Sequence, residues 1–168
     1  MADVSNSNLY AFHAGTHDFS GACVVLVRTE WNAVIIDELE KGVRKVLQEY
    51  GVNEVITVTV PGAVEIGFAV KAYWNHKSRH LRTRPHAFIT LGCVIRGDTP
   101  HFDYVCKTVT DAVTQLNLTI DVPTIFGILT VENQQQALER IGGKHGHKGE
   151  EAALTALKMM AFNTALKK

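Results

Sequence analysis

Short apolar runs alternate with stretches of helical periodicity along most of the chain. Residues 22–27 (ACVVLV) form a continuous apolar run, the pattern of a strand covered on both faces. Ile36, Leu39, Val43, Val46 and Leu47 then recur at helical spacing, and Gly51 marks the expected stop. In residues 55–60 valine and isoleucine alternate with threonine, which predicts a second strand. Pro61-Gly62 breaks it, and 63–74 reads as a second helix. A third strand is predicted over 87–94. The helix after it, from about 100 to 118, sets Phe102, Val105, Val109, Val113 and Leu116 on one face. Residues 123–129 predict the fourth strand. Two closing helices, 132–141 and 148–161, flank the glycine-rich segment 142–149.

Strands alternating with helices imply parallel strands joined by right-handed crossovers. The expected fold is therefore α/β, a three-layer open parallel four-stranded sheet with helices on both faces, of the flavodoxin-like kind. A single domain is expected over 21–168, behind a flexible N-terminal arm, 1–20. Such sheets bind ligands beyond the carboxyl ends of their strands. The segments to watch are then 28–32, 61–65, 95–101 and 126–130. The segment 75–86, with Lys77, Arg79, Arg82 and Arg84, is read as a solvated connecting loop, since no aromatic residue is interleaved for base stacking.

Composition narrows the class. The 168 residues are 46% hydrophobic and 20% charged, as in a globular domain rather than a disordered one. Seventeen basic residues balance seventeen acidic ones, so net charge points to neither nucleic acid nor membrane as a partner. Three cysteines without paired spacing argue for a reducing compartment. With no apolar run near the ~20 residues of a membrane span and no signal-peptide layout, the expected location is the cytoplasm. His13 and His17 fall in the polar arm, where a loosely ordered terminus is favoured over a metal site.

Candidate chemistry gathers at the strand exits. Residues 92–99 (GCVIRGDT) have the glycine spacing of a phosphate-binding P-loop, but Asp98 stands where that motif needs lysine, which argues against a nucleotide triphosphatase. Thr99 suits an N-cap and Pro100 a first helical position, so free N–H groups there would form an anion site. His101 follows in the first turn. It is equally well a proton-transfer group or a structural histidine. Trp31 and Asn32 follow the first strand. The indole offers a stacking surface, although a lid on the core is the commoner use. Glu65 could accept hydrogen bonds from sugar hydroxyls, or simply favour a helix start. Arg140 could grip phosphate, with Lys148 adding charge. His145 and His147 are weak evidence for a metal. A Cys93–His101 nucleophile pair is disfavoured, because Cys93 ends an apolar strand and nothing orients the histidine.

Taken in order, Trp31-Asn32, residues 60–66 (VPGAVEI), 92–105 (GCVIRGDTPHFDYV), 123–130 (PTIFGILT) and 140–149 resemble the lumazine synthase family, over about 22–160. The resemblance implies a riboflavin-pathway transferase without metal or organic cofactor. It condenses 5-amino-6-ribitylaminouracil with 3,4-dihydroxy-2-butanone 4-phosphate to 6,7-dimethyl-8-ribityllumazine, phosphate and water. By the same resemblance Trp31 stacks on the pyrimidine, with Asn32 beside it. Ala63, Val64 and Glu65 hold the ribityl chain, and Val94 and Ile95 touch the heterocycle. Asp98 and Thr99 cradle phosphate with Lys148 nearby, and His101 transfers protons. Phe126 and Arg140 come from a neighbouring subunit. The implied assembly is a pentamer, packed twelve-fold into a 60-subunit icosahedral shell, with the N-terminal arm adding a strand to a neighbour. Three features depart from the family pattern: tryptophan at 31, where phenylalanine is also common; His147, where asparagine is frequent; and a longer, more basic segment 75–86. The competing readings are an archaeal-type riboflavin synthase and a catalytically silent flavin-binding or shell protein of the same fold.

Overall fold

In the computed structural model, which describes residues 7–13, 15, 17–79 and 84–166, the apolar runs lie side by side as one sheet. The strands are β1 (Cys23–Thr29), β2 (Glu54–Val60), β3 (Ala87–Ile95) and β4 (Thr124–Val131), all parallel in the order β2-β1-β3-β4. The helices are α1 (Ala33–Glu49), α2 (Ile66–Lys77), α3 (His101–Thr119), a short α4 (Gln134–Leu138) and α5 (Lys148–Ala165). The α/β flavodoxin-like architecture expected from the alternation is the one observed. β1 and β3, adjacent in the sheet, send their chains to opposite faces. Their carboxyl ends therefore open a crevice at the switch point.

Strand alternation separates two cores. Val24, Leu26, Ile89 and Leu91 face α1 and α5, where Ile36, Leu39, Leu47 and Leu157 are fully buried. Val25, Val27 and Phe88 face α2 and α3, against Ile66, Val70 and Val109. Each such side chain contributes about 1.5–3 kcal/mol over its exposed state. β2 is an edge strand, and its threonines, Thr57 and Thr59, are exposed; that accounts for the alternation read in its sequence.

α1 and α5 cross so closely that Gly42 and Gly149 have no room for a side chain. A Cβ on Gly149 would lie 2.1 Å from the Leu39 carbonyl oxygen, and one on Gly42 would lie 2.2 Å from the His147 ring. His147 fills this crossing and caps α5, its Nδ1 accepting from the Glu150 N–H at 3.4 Å. The described part of the arm packs on the same side of the sheet, while residues 1–6, 14 and 16 lie outside the described residues. Phe12 stacks on Tyr50 at 5.6 Å, the Tyr50 hydroxyl donates to the Phe12 carbonyl, and Phe19 is buried in the core.

Several expected boundaries shift. A 3-10 turn, Ala63–Glu65, precedes α2, so that helix begins at Ile66, not at position 63. α2 also runs on to Lys77, taking the start of the basic segment into a helix. Arg84 lies 5.2 Å over the Trp74 ring and 3.6 Å from Asp121, while Arg82 is outside the described residues. The helix expected over 132–141 shrinks to five residues. Beyond it the Arg140 carbonyl accepts from the Lys148 N–H, and the Glu139 carbonyl accepts from the His145 N–H. These bonds close an antiparallel hairpin of β5 (Ile141–Gly143) and β6 (Gly146–His147) where a plain glycine-rich turn was expected. Gly142 and Gly146, at φ 106° and 80°, permit it.

Candidate active site

A cleft of about 540 Å³ opens at the switch point. Thr29 forms its floor at the end of β1. Trp31 and Asn32 come from the β1–α1 turn, and residues 62–65 from the β2–α2 turn. Cys93, Val94 and Ile95 end β3, and His101 and Val105 begin α3. Seven expected site residues therefore converge without any being close in sequence to all the others: Trp31, Asn32, Ala63, Val64, Glu65, Val94 and Ile95. His101 joins them from the opposite wall.

Asn32 explains how the first wall is held. It sits at φ 58°, ψ 43°, the single non-glycine residue with positive φ among those described, and asparagine tolerates this region better than most residues. From there its Nδ2 donates to the Cys93 carbonyl at 2.9 Å, and its own carbonyl accepts from the Ile35 and Ile36 N–H groups. One residue thus starts α1 through its backbone carbonyl and, through its side chain, ties the β1–α1 turn to the end of β3. Trp31 stands beside it, 73% exposed, a bare aromatic surface at the cleft mouth. Gly62 lies between Trp31 and Glu65: a Cβ there would make an ordinary contact with Trp31 Cδ1 at 3.6 Å and a tight one with Glu65 Oε2 at 3.1 Å.

The second wall is the start of α3, reached through the 96–100 turn, whose Asp98 and Thr99 are not among the lining residues. Thr99 Oγ1 accepts from the His101 N–H at 3.4 Å, the contact expected of an N-cap, although regular helix begins one residue later than Pro100. Asp98, Thr99 and His101 are exposed. Arg96, to which no role was given from sequence, clamps the turn. Its Nη2 is 3.1 Å from Asp103 and its Nε 2.8 Å from Glu132, and its guanidinium lies 4.0 Å over Phe102. Its N–H also donates to the Val131 carbonyl, extending the β3–β4 ladder.

Cys93 lines the cleft but is buried, and that burial pushes its thiol up to about 11. At neutral pH it stays protonated and is a poor nucleophile. Thr29 and Gly62 line the cleft from the segments 28–32 and 61–65 but were given no role from sequence, and Val105 was read only as part of the apolar face of α3. For Thr29 the signal was a hydroxyl ending an otherwise apolar run.

Three expected residues lie elsewhere in the chain. Phe126 is the third residue of β4, near its amino end and not at its exit, half-buried on the α2/α3 side of an edge strand. Arg140 is buried at the base of the β5–β6 hairpin, where it donates to the His145 carbonyl and, at 2.9 Å, to Glu151. Lys148 Nζ lies 3.6 Å from the same carboxylate. Among the described residues, the cleft lining contains no lysine or arginine.

The 6,7-dimethyl-8-ribityllumazine synthase family model matches residues 21–164. This chain belongs to the 6,7-dimethyl-8-ribityllumazine synthase family. The synthase of that name from Parabacteroides distasonis is 42% identical over 160 residues, covering 94% of this chain and 96% of its own. The one from Porphyromonas gingivalis is 51% identical over 132 residues, 77% and 78% of the two chains, and that from Bacteroides fragilis is 44% identical over 145, covering 85% and 97%. The family match spans every strand and every segment that lines the cleft. No helix among the described residues is long and apolar enough to cross a membrane.

Proposed function

We propose that this chain condenses 5-amino-6-ribitylaminouracil with 3,4-dihydroxy-2-butanone 4-phosphate, releasing 6,7-dimethyl-8-ribityllumazine, phosphate and water. It is a transferase of riboflavin biosynthesis. Family membership along nearly the whole chain carries the reading, and the cleft gives it a physical form. Trp31, with Asn32, Val94 and Ile95, offers a flat apolar slot for the pyrimidine. Ala63, Val64 and Glu65 take the ribityl chain. Asp98 and Thr99, at the start of α3, present backbone N–H groups to the phosphate beside His101. An amine and a ketone react unaided, so holding them in register supplies much of the acceleration. Imine formation, phosphate loss and ring closure each move protons, the work assigned to His101.

Charge completes the assignment. A phosphate leaving group needs cations, and among the described residues of a single chain no lysine or arginine lines the cleft. Arg140 of a neighbouring subunit is therefore assigned to the phosphate, with Lys148 adding charge and Phe126 covering the ring. Glu151 and the His145 carbonyl occupy part of Arg140's five-donor fork, leaving N–H groups for a ligand. We assign the chain to pentamers that build a 60-subunit shell in the cytoplasm, with the N-terminal arm, 1–20, pairing with a neighbour.

Incubating the protein with both substrates tests the activity. Lumazine absorbance and inorganic phosphate are expected to rise together, one for one. Riboflavin formed from lumazine alone would point instead to the archaeal-type riboflavin synthase, which the family match does not favour. Ligand binding without turnover would point to a silent flavin-binding or shell protein.

A further inference from the structure

Thr29 closes β1 on the same side of the sheet as Val25 and Val27, and it is 1% exposed. Its Oγ1 is buried and has no hydrogen-bond partner among the described residues. Buried hydroxyls are nearly always paired, and Thr90 shows the usual solution in this sheet, donating to the Ile125 carbonyl at 2.8 Å. Thr124 is also unpartnered, but it begins β4, at the opposite end of the strands, and does not line the cleft. Thr29 does line it.

Position narrows what Thr29 could serve. In the β1–β2 ladder it pairs with Val60, next to the turn that carries Glu65, whereas His101 and the start of α3 form the other wall. A carboxylate at Glu65 only accepts hydrogen bonds and repels anions. A threonine hydroxyl both donates and accepts. The pair therefore suits a neutral polyol chain and not a phosphate. The lining residues that pack in the core on this side of the sheet, Ala63, Val94 and Val105, carry no polar side chain.

We propose that Thr29 is a further substrate-binding residue, its Oγ1 hydrogen-bonding a hydroxyl of the polyol chain at the floor of the cleft. This rests on the synthase reading above. The test compares Thr29→Val, which keeps the shape and removes the hydroxyl, with Thr29→Ser, which keeps the hydroxyl. Thr29→Val is expected to raise both KM and Kd for the ribitylaminouracil about ten-fold, the worth of one neutral hydrogen bond. KM for the butanone phosphate should not move, and Thr29→Ser should stay within about two-fold of the parent. An analogue with an alkyl chain in place of ribityl should bind the parent and Thr29→Val equally. Thermal melting checks that valine is accommodated beside Gly92, and Thr29→Ala gives the same comparison if it is not. Unchanged KM and Kd in a folded hydroxyl-free variant, or an equal loss with the alkyl analogue, would overturn the assignment. A parent enzyme that makes no lumazine would bring down the functional reading and this assignment with it. An active parent matched by Thr29→Val would remove the Thr29 assignment alone.

Discussion

Arg140 and Glu151 face each other at the base of the hairpin, both largely withdrawn from solvent. Removing one partner of such a pair leaves the other charged and buried, which costs far more than the intact pair contributes. Glu151→Ala is expected to lower stability by about 3–5 kcal/mol in urea titration, and Glu151→Gln, which still accepts a hydrogen bond, by less. A small loss with alanine would mean that Arg140 turns outward freely. His101 belongs to the opposite class. It is exposed, and its hydrogen bond to Thr99 uses the backbone N–H, which alanine keeps. His101→Ala should leave melting and substrate binding nearly unaltered while kcat falls severalfold or more. Steady-state kinetics with unchanged kcat would remove its proton-transfer role.

Elements show which parts of the structure were legible in the chain. Each strand was visible as an apolar run, and even the half-exposed β2 announced itself through its threonines. The hairpin was not visible. The segment 132–141 has helical composition, but Glu139 and Arg140 turn their carbonyls to amides eight or fewer residues ahead, and only tertiary packing decides that. Thr29 was hidden for a related reason, because an unpartnered hydroxyl is a property of surroundings. Most cleft-lining residues were legible because they sit at strand exits, where the parallel sheet dictates convergence; Phe126 lies away from the exit because β4 runs past it to Val131. Two predictions belong at this scale. Gly149→Ala should destabilise strongly or prevent folding, measured as soluble yield and urea midpoint, since the Leu39 carbonyl blocks the new carbon. Glu40 links α1 to β1 and β2 through Arg28, Arg44 and Thr57. Burial alone would raise its carboxyl, but these hydrogen bonds outweigh burial and hold it below the ordinary glutamate value. Its stabilising effect is then full at neutral pH and is lost as pH falls through that lowered value. Glu40→Gln should flatten the acid limb of a stability–pH curve and leave its alkaline side unaltered in slope.

For the whole molecule, the proposed shell predicts a light-scattering mass of about sixty chains, and a mass near one pentamer would defeat it. Within one chain, His101 borders the cleft while Arg140 lies outside it, at the hairpin base. On the proposed reading, no chain then owns a complete catalytic set, and two damaged genes could make one working enzyme. Chains bearing His101→Ala co-assembled in equal amounts with chains bearing Arg140→Ala would place an intact histidine opposite an intact arginine in about a quarter of the clefts. Activity would reappear in the mixture, although each parent population alone is crippled.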